Sequence, residues 1–175
     1  YACNYNGEVN FDDGSCYYQD LCSECDGDNS ACEIITDTDG NEYGTVQIGD
    51  QLWMRQNLKT AHYNNGDPIA TELSSGSDGE WYVNDEGAYA IYNDNADNAE
   101  IYGHLYNWYA GVDNRNVCPG GWHVPSETEF NELIDFLGGV NIAGGKLKEE
   151  GDEHWSVNIG ATNESGFSAL PGGLR

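Results

Sequence analysis

The sequence predicts an α+β domain preceded by a small irregular module rich in cysteine and aspartate, and three observations carry that prediction. Two β-rich runs, Glu33-Ile34-Ile35-Thr36 and Tyr43-Gly44-Thr45-Val46-Gln47-Ile48, flank the turn signal Asp39-Gly40-Asn41 and read as a hairpin. A helix opens after Pro125: Ser126 can cap it and Glu129, three residues on, closes a capping box. Phe130, Leu133, Ile134 and Leu137 follow at helical spacing before Gly138-Gly139 ends the run. Five of the six cysteines fall within the first 32 residues, where apolar residues are scarce, so staples must stand in for a core. Composition agrees, since 23 Gly and 12 Tyr in 175 residues describe a loop-rich, aromatic-cored chain rather than a helical bundle.

The remaining elements follow in order. Gly49-Asp50 is a tight-turn signal leading into the short strand Gln51-Leu52-Trp53-Met54. Residues 60 to 88, rich in Asn, Gly, Ser and Asp, read as a long irregular excursion anchored by Tyr82 and by Tyr89 to Tyr92. Between Ile101 and Tyr109 the spacing of Ile101, Leu105, Trp108 and Tyr109 predicts a helix. Gly120-Gly121-Trp122-His123-Val124-Pro125 predicts a short strand whose Trp122 and Val124 pack on the following helix. In the Gly-rich final stretch, Trp155, Ile159 and Phe167 are the expected core residues.

Thirty-one acids against six bases leave a formal charge of -25. A surface that negative repels phosphate backbones and anionic lipid headgroups, which excludes nucleic-acid and membrane-surface roles. No apolar run approaches the ~18 residues of a spanning helix, so membrane insertion is not expected. The candidate disulfide cysteines are Cys3, Cys16, Cys22, Cys25, Cys32 and Cys118. Zinc competes for Cys22-Ser23-Glu24-Cys25, but a zinc site wants a second ligand pair, and Cys16 with Cys32 is a poor one. Disulfides imply an oxidising compartment, hence an extracellular or cell-surface protein. The odd cysteine of the first segment and the isolated Cys118 either pair with each other or have partners beyond the stretch shown.

The first 54 residues contain twelve Asp or Glu and no Lys or Arg. Their grouping as Asp12-Asp13-Gly14, Asp26-Gly27-Asp28-Asn29 and Asp37-Thr38-Asp39-Gly40-Asn41 suits calcium, because alternate oxygen side chains converge on one ion while Gly permits the turn. Calcium is the expected cofactor, with Asp12, Asp13, Asp26, Asp28, Asp37, Asp39 and Asn41 as candidate ligands. For Asp37 to Asn41 the plain hairpin-turn reading leads; for Asp26 and Asp28, where no strands flank, the two readings are level.

Catalytic patterns are scarce. There is no Gly-x-Ser-x-Gly elbow, no His-x-His or His-x-x-x-His pair among His62, His104, His123 and His154, and no motif that singles out two carboxylates. Asp152 and Glu153 read as a solvated turn, and His154 beside Trp155 as structural. Sugar binding fits better, since Trp and Tyr faces stack on pyranose rings. Tyr63, Trp81 and Tyr82, all in the polar excursion, are the ligand-binding candidates, although most of the five Trp and twelve Tyr belong to an ordinary core.

Two resemblances add to this. Ala2-Cys3-Asn4-Tyr5-Asn6 followed by Asp12-Asp13-Gly14-Ser15-Cys16 resembles short repeats of large Bacteroidetes surface proteins, and Cys25-Asp26-Gly27-Asp28-Asn29-Ser30-Ala31-Cys32 is similar to the calcium ladders of thrombospondin type 3 repeats. From residue 33 to 175 several blocks in order resemble the Fibrobacter succinogenes major paralogous domain. They include Gln51-Leu52-Trp53-Met54, Tyr102-Gly103-His104-Leu105-Tyr106-Asn107-Trp108-Tyr109, Cys118-Pro119-Gly120-Gly121-Trp122-His123-Val124-Pro125-Ser126, Gly144-Gly145-Lys146, His154-Trp155 and Gly160-Ala161-Thr162-Asn163-Glu164-Ser165-Gly166-Phe167. That resemblance implies a C-type-lectin-like fold in a secreted or surface bacterial protein. It also implies that the family pattern runs on past Arg175, through a tryptophan-rich stretch to a closing cysteine that is a natural partner for Cys118.

The organisation expected is therefore a calcium-type linker module over 1 to 32 and the paralogous domain, lacking its C-terminal part, over 33 to 175. The expected role is non-catalytic adhesion or recognition of glycan or protein at the cell exterior. A structural subunit of a stalk or filament, with possible self-association, is the alternative. A formylglycine-generating-like enzyme is a further one, against which stands the lack of a cysteine pair outside the first 32 residues.

Overall fold

A computed structural model of the chain describes residues 21–22, 32–74 and 79–175. The expected hairpin forms. Strand β1 (Ile34–Thr36) pairs antiparallel with β2 (Glu42–Ile48) in the register Ile34↔Gly44, Ile35↔Tyr43 and Thr36↔Glu42. The turn at Gly49 (φ 60°) reverses the chain into β3 (Gln51–Met54), paired from Ile48↔Gln51 to Thr45↔Met54, so the sheet order is β1-β2-β3 and β3 is an edge. Gly49 is the residue that fits here: its φ is left-handed, and a Cβ would press on the Phe136 ring.

The excursion expected over 60 to 88 is irregular apart from isolated bridges and the single-turn α1 (Glu80–Val83). Beyond it, β4 (Tyr89–Ala90) pairs with β5 (Leu105–Tyr106) in a second, two-stranded sheet. Tyr89 does anchor this part, lying against Tyr106 and stacking on His104 at 4.2 Å. Tyr82 does not, because its ring is exposed.

The helix expected over 101 to 109 is instead three pieces: α2 (Asp97–Tyr102), β5, and α3 (Trp108–Gly111). Two residues break it. Gly103 (φ 67°) ends α2 where a side chain would strike the Leu58 carbonyl. Asn107 turns its side chain to three tasks: Oδ1 accepts from Ala110 N (2.9 Å), capping α3, and from Ala88 N (3.0 Å), while Nδ2 donates to Glu86 O (2.8 Å). Hydrogen bonds to the excursion outweigh the local periodicity of Leu105 and Trp108.

Helix α4 (Glu127–Phe136) forms as the sequence predicts, with both halves of the Ser126/Glu129 capping box in place. Leu133 and Leu137 are buried with Ile48 and with Ala143 of α5 (Ala143–Leu147), while Val46, Trp53, Ile134, Leu147 and Phe167 pack around them. The segment before α4 is not a strand. Trp122 packs on a second cluster formed by Tyr63, Ile69, Ala110, Val117 and Cys118, rather than on α4, and Val124 is exposed. The reason is the close turn Trp122 N→Pro119 O (2.9 Å), which folds the tryptophan back beneath its own loop.

In the last stretch Trp155 and Phe167 are partly buried as expected, but Ile159 is 93% exposed. Gly160 brings its carbonyl so close to Gly145 that a side chain at 145 would not fit. That backbone contact, with Thr162 N→Gly145 O (2.8 Å), lifts the neighbouring Ile159 outward. Among the described residues the architecture is α+β, with two small antiparallel sheets and helices beside them. No helix among the described residues is long and apolar enough to cross a membrane.

Candidate functional site

A polar seam locks the hairpin to the chain that follows it. Asp37 is buried, and its Oδ1 accepts from the backbone N–H groups of Asp39 and Asn41 (both 2.9 Å). Its Oδ2 accepts from Asn41 Nδ2 (2.8 Å) and from the Tyr43 hydroxyl (2.6 Å). Tyr43 Oη in turn accepts from Lys59 N (3.1 Å), and burial, with Asp37 next to it, raises the phenol above its ordinary value. Asp39 Oδ2 accepts from Thr60 Oγ1 (2.9 Å) and Ala61 N (2.5 Å), while Oδ1 meets His62 Nδ1 (2.5 Å). Tyr106 donates to Thr60 O (2.6 Å), tying β5 into the same seam. The carboxylate oxygens of Asp37 and Asp39 are thus engaged with protein donors, Asn41 among them, in a hairpin turn, the reading that led for this segment.

The other predicted ligands Asp12, Asp13, Asp26 and Asp28, together with Cys3, Cys16 and Cys25, lie outside the described residues. Cys22 and Cys32 form a disulfide. Cys118, a disulfide candidate, is among the described residues a buried thiol, pushed by burial up to about 11. Its place in the cluster with Tyr63 and Val117 encloses the sulfur in apolar side chains.

The structure does not bring together the three residues predicted to bind ligand. Tyr63 is 1% exposed and belongs to the core, which corrects its assignment as an open stacking face. Trp81 is partly buried near the Arg175 guanidinium, and Tyr82 projects into solvent. Tyr63 does form one wall of a polar recess of about 490 Å³, with Asp85, Glu86, Tyr109, Asp113 and Arg115. Arg115 lies 4.0 Å over the Tyr63 ring and is held by two hydrogen bonds to Asp113 (2.9 and 2.8 Å). Those bonds hold the Asp113 carboxyl down at about 2. Arg115, the one cation among the described residues that line this recess, is therefore already paired.

The larger opening is a groove of about 1310 Å³ between the free edge of β3, the segment 102–126 and α4. Leu52, Trp53, Trp108, Val112, Trp122 and Phe130 give it apolar walls, and Trp108 is 76% exposed. Trp53 meets Phe130 and Phe167 edge to face, with centroids 5.6 and 6.0 Å away, which fixes the groove floor. At the rim, Ser126 Oγ and His123 Nε2 both turn to Glu129 (2.8 Å each). Hydrogen bonds from the Ser126 backbone, the Ser126 hydroxyl and His123 hold that carboxyl at about 2. The serine hydroxyl is committed to the helix cap and faces a carboxylate rather than an imidazole, so this trio is not a nucleophile with its base. Chemically the groove offers flat apolar surface with a charged rim.

Sequence reasoning placed Trp53, Trp108 and Phe130 in strand and helix cores and missed the groove. No local pattern marked it, because its walls come from segments far apart in the sequence. The model of the Fibrobacter succinogenes major domain matches residues 46–175. No curated protein and no solved structure matches the chain.

Proposed function

The chain belongs to the Fibrobacter succinogenes major domain family, and we propose that it is a non-catalytic recognition module at the cell exterior, of C-type-lectin-like fold, which binds glycan or protein through the aromatic groove. The observation that carries this reading is the exposure of Trp108 in the same groove that Trp53 and Phe130 line. An uncovered apolar surface of this kind marks an interaction site. The Cys22–Cys32 disulfide supports an oxidising location. Calcium, in this reading, stiffens the module over 1 to 32 through Asp12, Asp13, Asp26 and Asp28.

The test is binding of the chain and of Trp108→Ala to a glycan array and to a library of extended peptides. Specific binding weakened more than about tenfold in the variant is expected, as for an aromatic anchor at the centre of an interface. Binding that the variant retains in full, or no specific binding at all, would remove the groove from the reading.

One observation favours the structural alternative in part. The edges of β3 and β5 both border the groove, so a strand from another molecule can add to either sheet there. Regular polymers in electron micrographs of the purified chain would move the reading from recognition to assembly.

A further inference from the structure

One wall of the aromatic groove is backbone. Among the described residues β3 pairs on one side only, with β2. The bond Arg55 N→Gly44 O (2.9 Å) sets the phase of that ladder. Bonded and non-bonded pairs alternate along antiparallel strands, so Gln51 and Trp53, like Arg55, direct their backbone groups at β2. Leu52 and Met54, at the positions between, turn both N–H and C=O to the free edge, and both residues line the groove. No donor or acceptor among the described residues meets these four groups. Natural sheet edges are blunted by charge, proline or a bulge. Gln51-Leu52-Trp53-Met54 has no charge and no proline, and its register on β2 is unbroken.

Acids stand at both ends of this edge. Asp50 opens it, and Glu132 Oε2 lies 3.3 Å from Gln51 Nε2. At the other end is Glu33, whose carbonyl accepts from Thr45 Oγ1 (2.9 Å), the residue opposite Met54. Among the described residues that line the groove, Arg55 is the one Lys or Arg, and its guanidinium turns away to Cys22 O (2.8 Å). His123 is paired with Glu129, and burial holds the His104 imidazole below its ordinary value. The groove therefore carries excess negative charge around an apolar floor.

We propose that the free edge of β3 takes an extended segment of a cationic partner protein as a further strand, with basic and apolar residues alternating along it. This rests on the groove being a recognition site and narrows its occupant from glycan or protein to protein. The backbone decides the class of chain: free N–H and C=O groups two residues apart, about 6.8 Å, match the repeat of another strand. The side chains decide its composition. Alternate residues of an added strand fall on the face of the sheet where Trp53 meets Phe130 and Phe167, and those are apolar. The residues between them meet the acids at the two ends of the edge, and those are basic. A second copy of this chain is excluded by charge, because it brings the same -25 to the contact.

The probe is a short capped peptide of alternating Lys and Leu, added to the whole chain and followed by calorimetry and amide hydrogen exchange. Two relatives of it are compared: one N-methylated at every residue, which keeps charge and side chains but cannot donate, and one with Glu for Lys. Expected are one peptide per chain and exchange at Leu52 and Met54 slowed more than about tenfold. Both relatives should bind at least about tenfold more weakly. Leu52→Pro removes an outward N–H and leaves the ladder to β2 intact, so the variant should fold and lose the peptide. If it unfolds, the N-methylated peptide carries the comparison on the native chain. Equal binding of the N-methylated peptide, or no protection at Leu52 and Met54, overturns strand addition. Equal binding of the Glu peptide overturns the cationic partner. Dimers with those amides protected in the absence of peptide make a second copy the occupant and overturn it too. No peptide binding, beside a glycan held through Trp108, overturns this inference and leaves the recognition reading standing; no binding of either removes both.

Discussion

The polar seam and the aromatic groove use residues against their usual habits, in opposite directions. In the seam a carboxylate is buried: Asp37 lies inside the hairpin with four donors on its two oxygens. In the groove, rings of the most buried residue classes stand open, with Trp108 and Phe130 facing solvent. Burying Asp37 is tolerable because every hydrogen bond lost to water is replaced. The groove rings have no such replacement within the described residues. The contrast separates a region whose interactions are complete within the chain from one whose interactions await another surface.

The largest break in that contrast is Asp37→Ala. It strips four donors of their acceptor, two of them backbone, and should cost about 4 kcal/mol in urea unfolding. A loss under about 1 kcal/mol would mean the seam is not a closed network. Leu133→Ala, in the cluster beneath α4, should cost about 3 kcal/mol by the cavity it leaves. Ser126→Ala removes the cap of α4 and should cost about 1 kcal/mol.

Trp108→Ala is the sharpening case, because it should change stability by less than about 0.5 kcal/mol while weakening binding, the reverse of Asp37→Ala. If Trp108→Ala unfolds the chain, the groove is core and the comparison fails. The smallest effect is in pH. The Glu129 carboxyl is depressed from its ordinary 4.5 to about 2, so its support of the α4 cap is complete above pH 4.5 and lost as pH falls through about 2. Acid unfolding of Glu129→Gln should lack that component, and a curve identical to that of the native chain would contradict it.

The parts legible in the sequence are those where a local rule and the tertiary structure agree. The Ser126/Glu129 box and the Asp39-Gly40-Asn41 turn act within a few residues of themselves, and both formed where their spacing put them. The helix over 101 to 109 failed because Asn107 answers to Ala88 and Glu86, some twenty residues back. Periodicity cannot register such partners. Tyr63 failed as an open ligand face for a similar reason: polar neighbours in sequence surround it, but in space it is enclosed with Ile69, Val117 and Cys118. The groove was illegible because it is assembled from segments whose residues look ordinary one by one.

The attachment of residues 21–22 has a mechanical consequence. Arg55 donates to Cys22 O (2.8 Å) and Gln56 to Leu21 O (3.2 Å), and Gly44 leaves no room for a side chain against that carbonyl. The disulfide to Cys32 closes this attachment into a loop just ahead of β1. A pull on the chain ahead of Cys22 is therefore divided: the disulfide passes part of it to Cys32, just before the three-residue β1, while the Arg55 and Gln56 hydrogen bonds pass part of it into the segment after β3, so that traction is shared by several bonds at once.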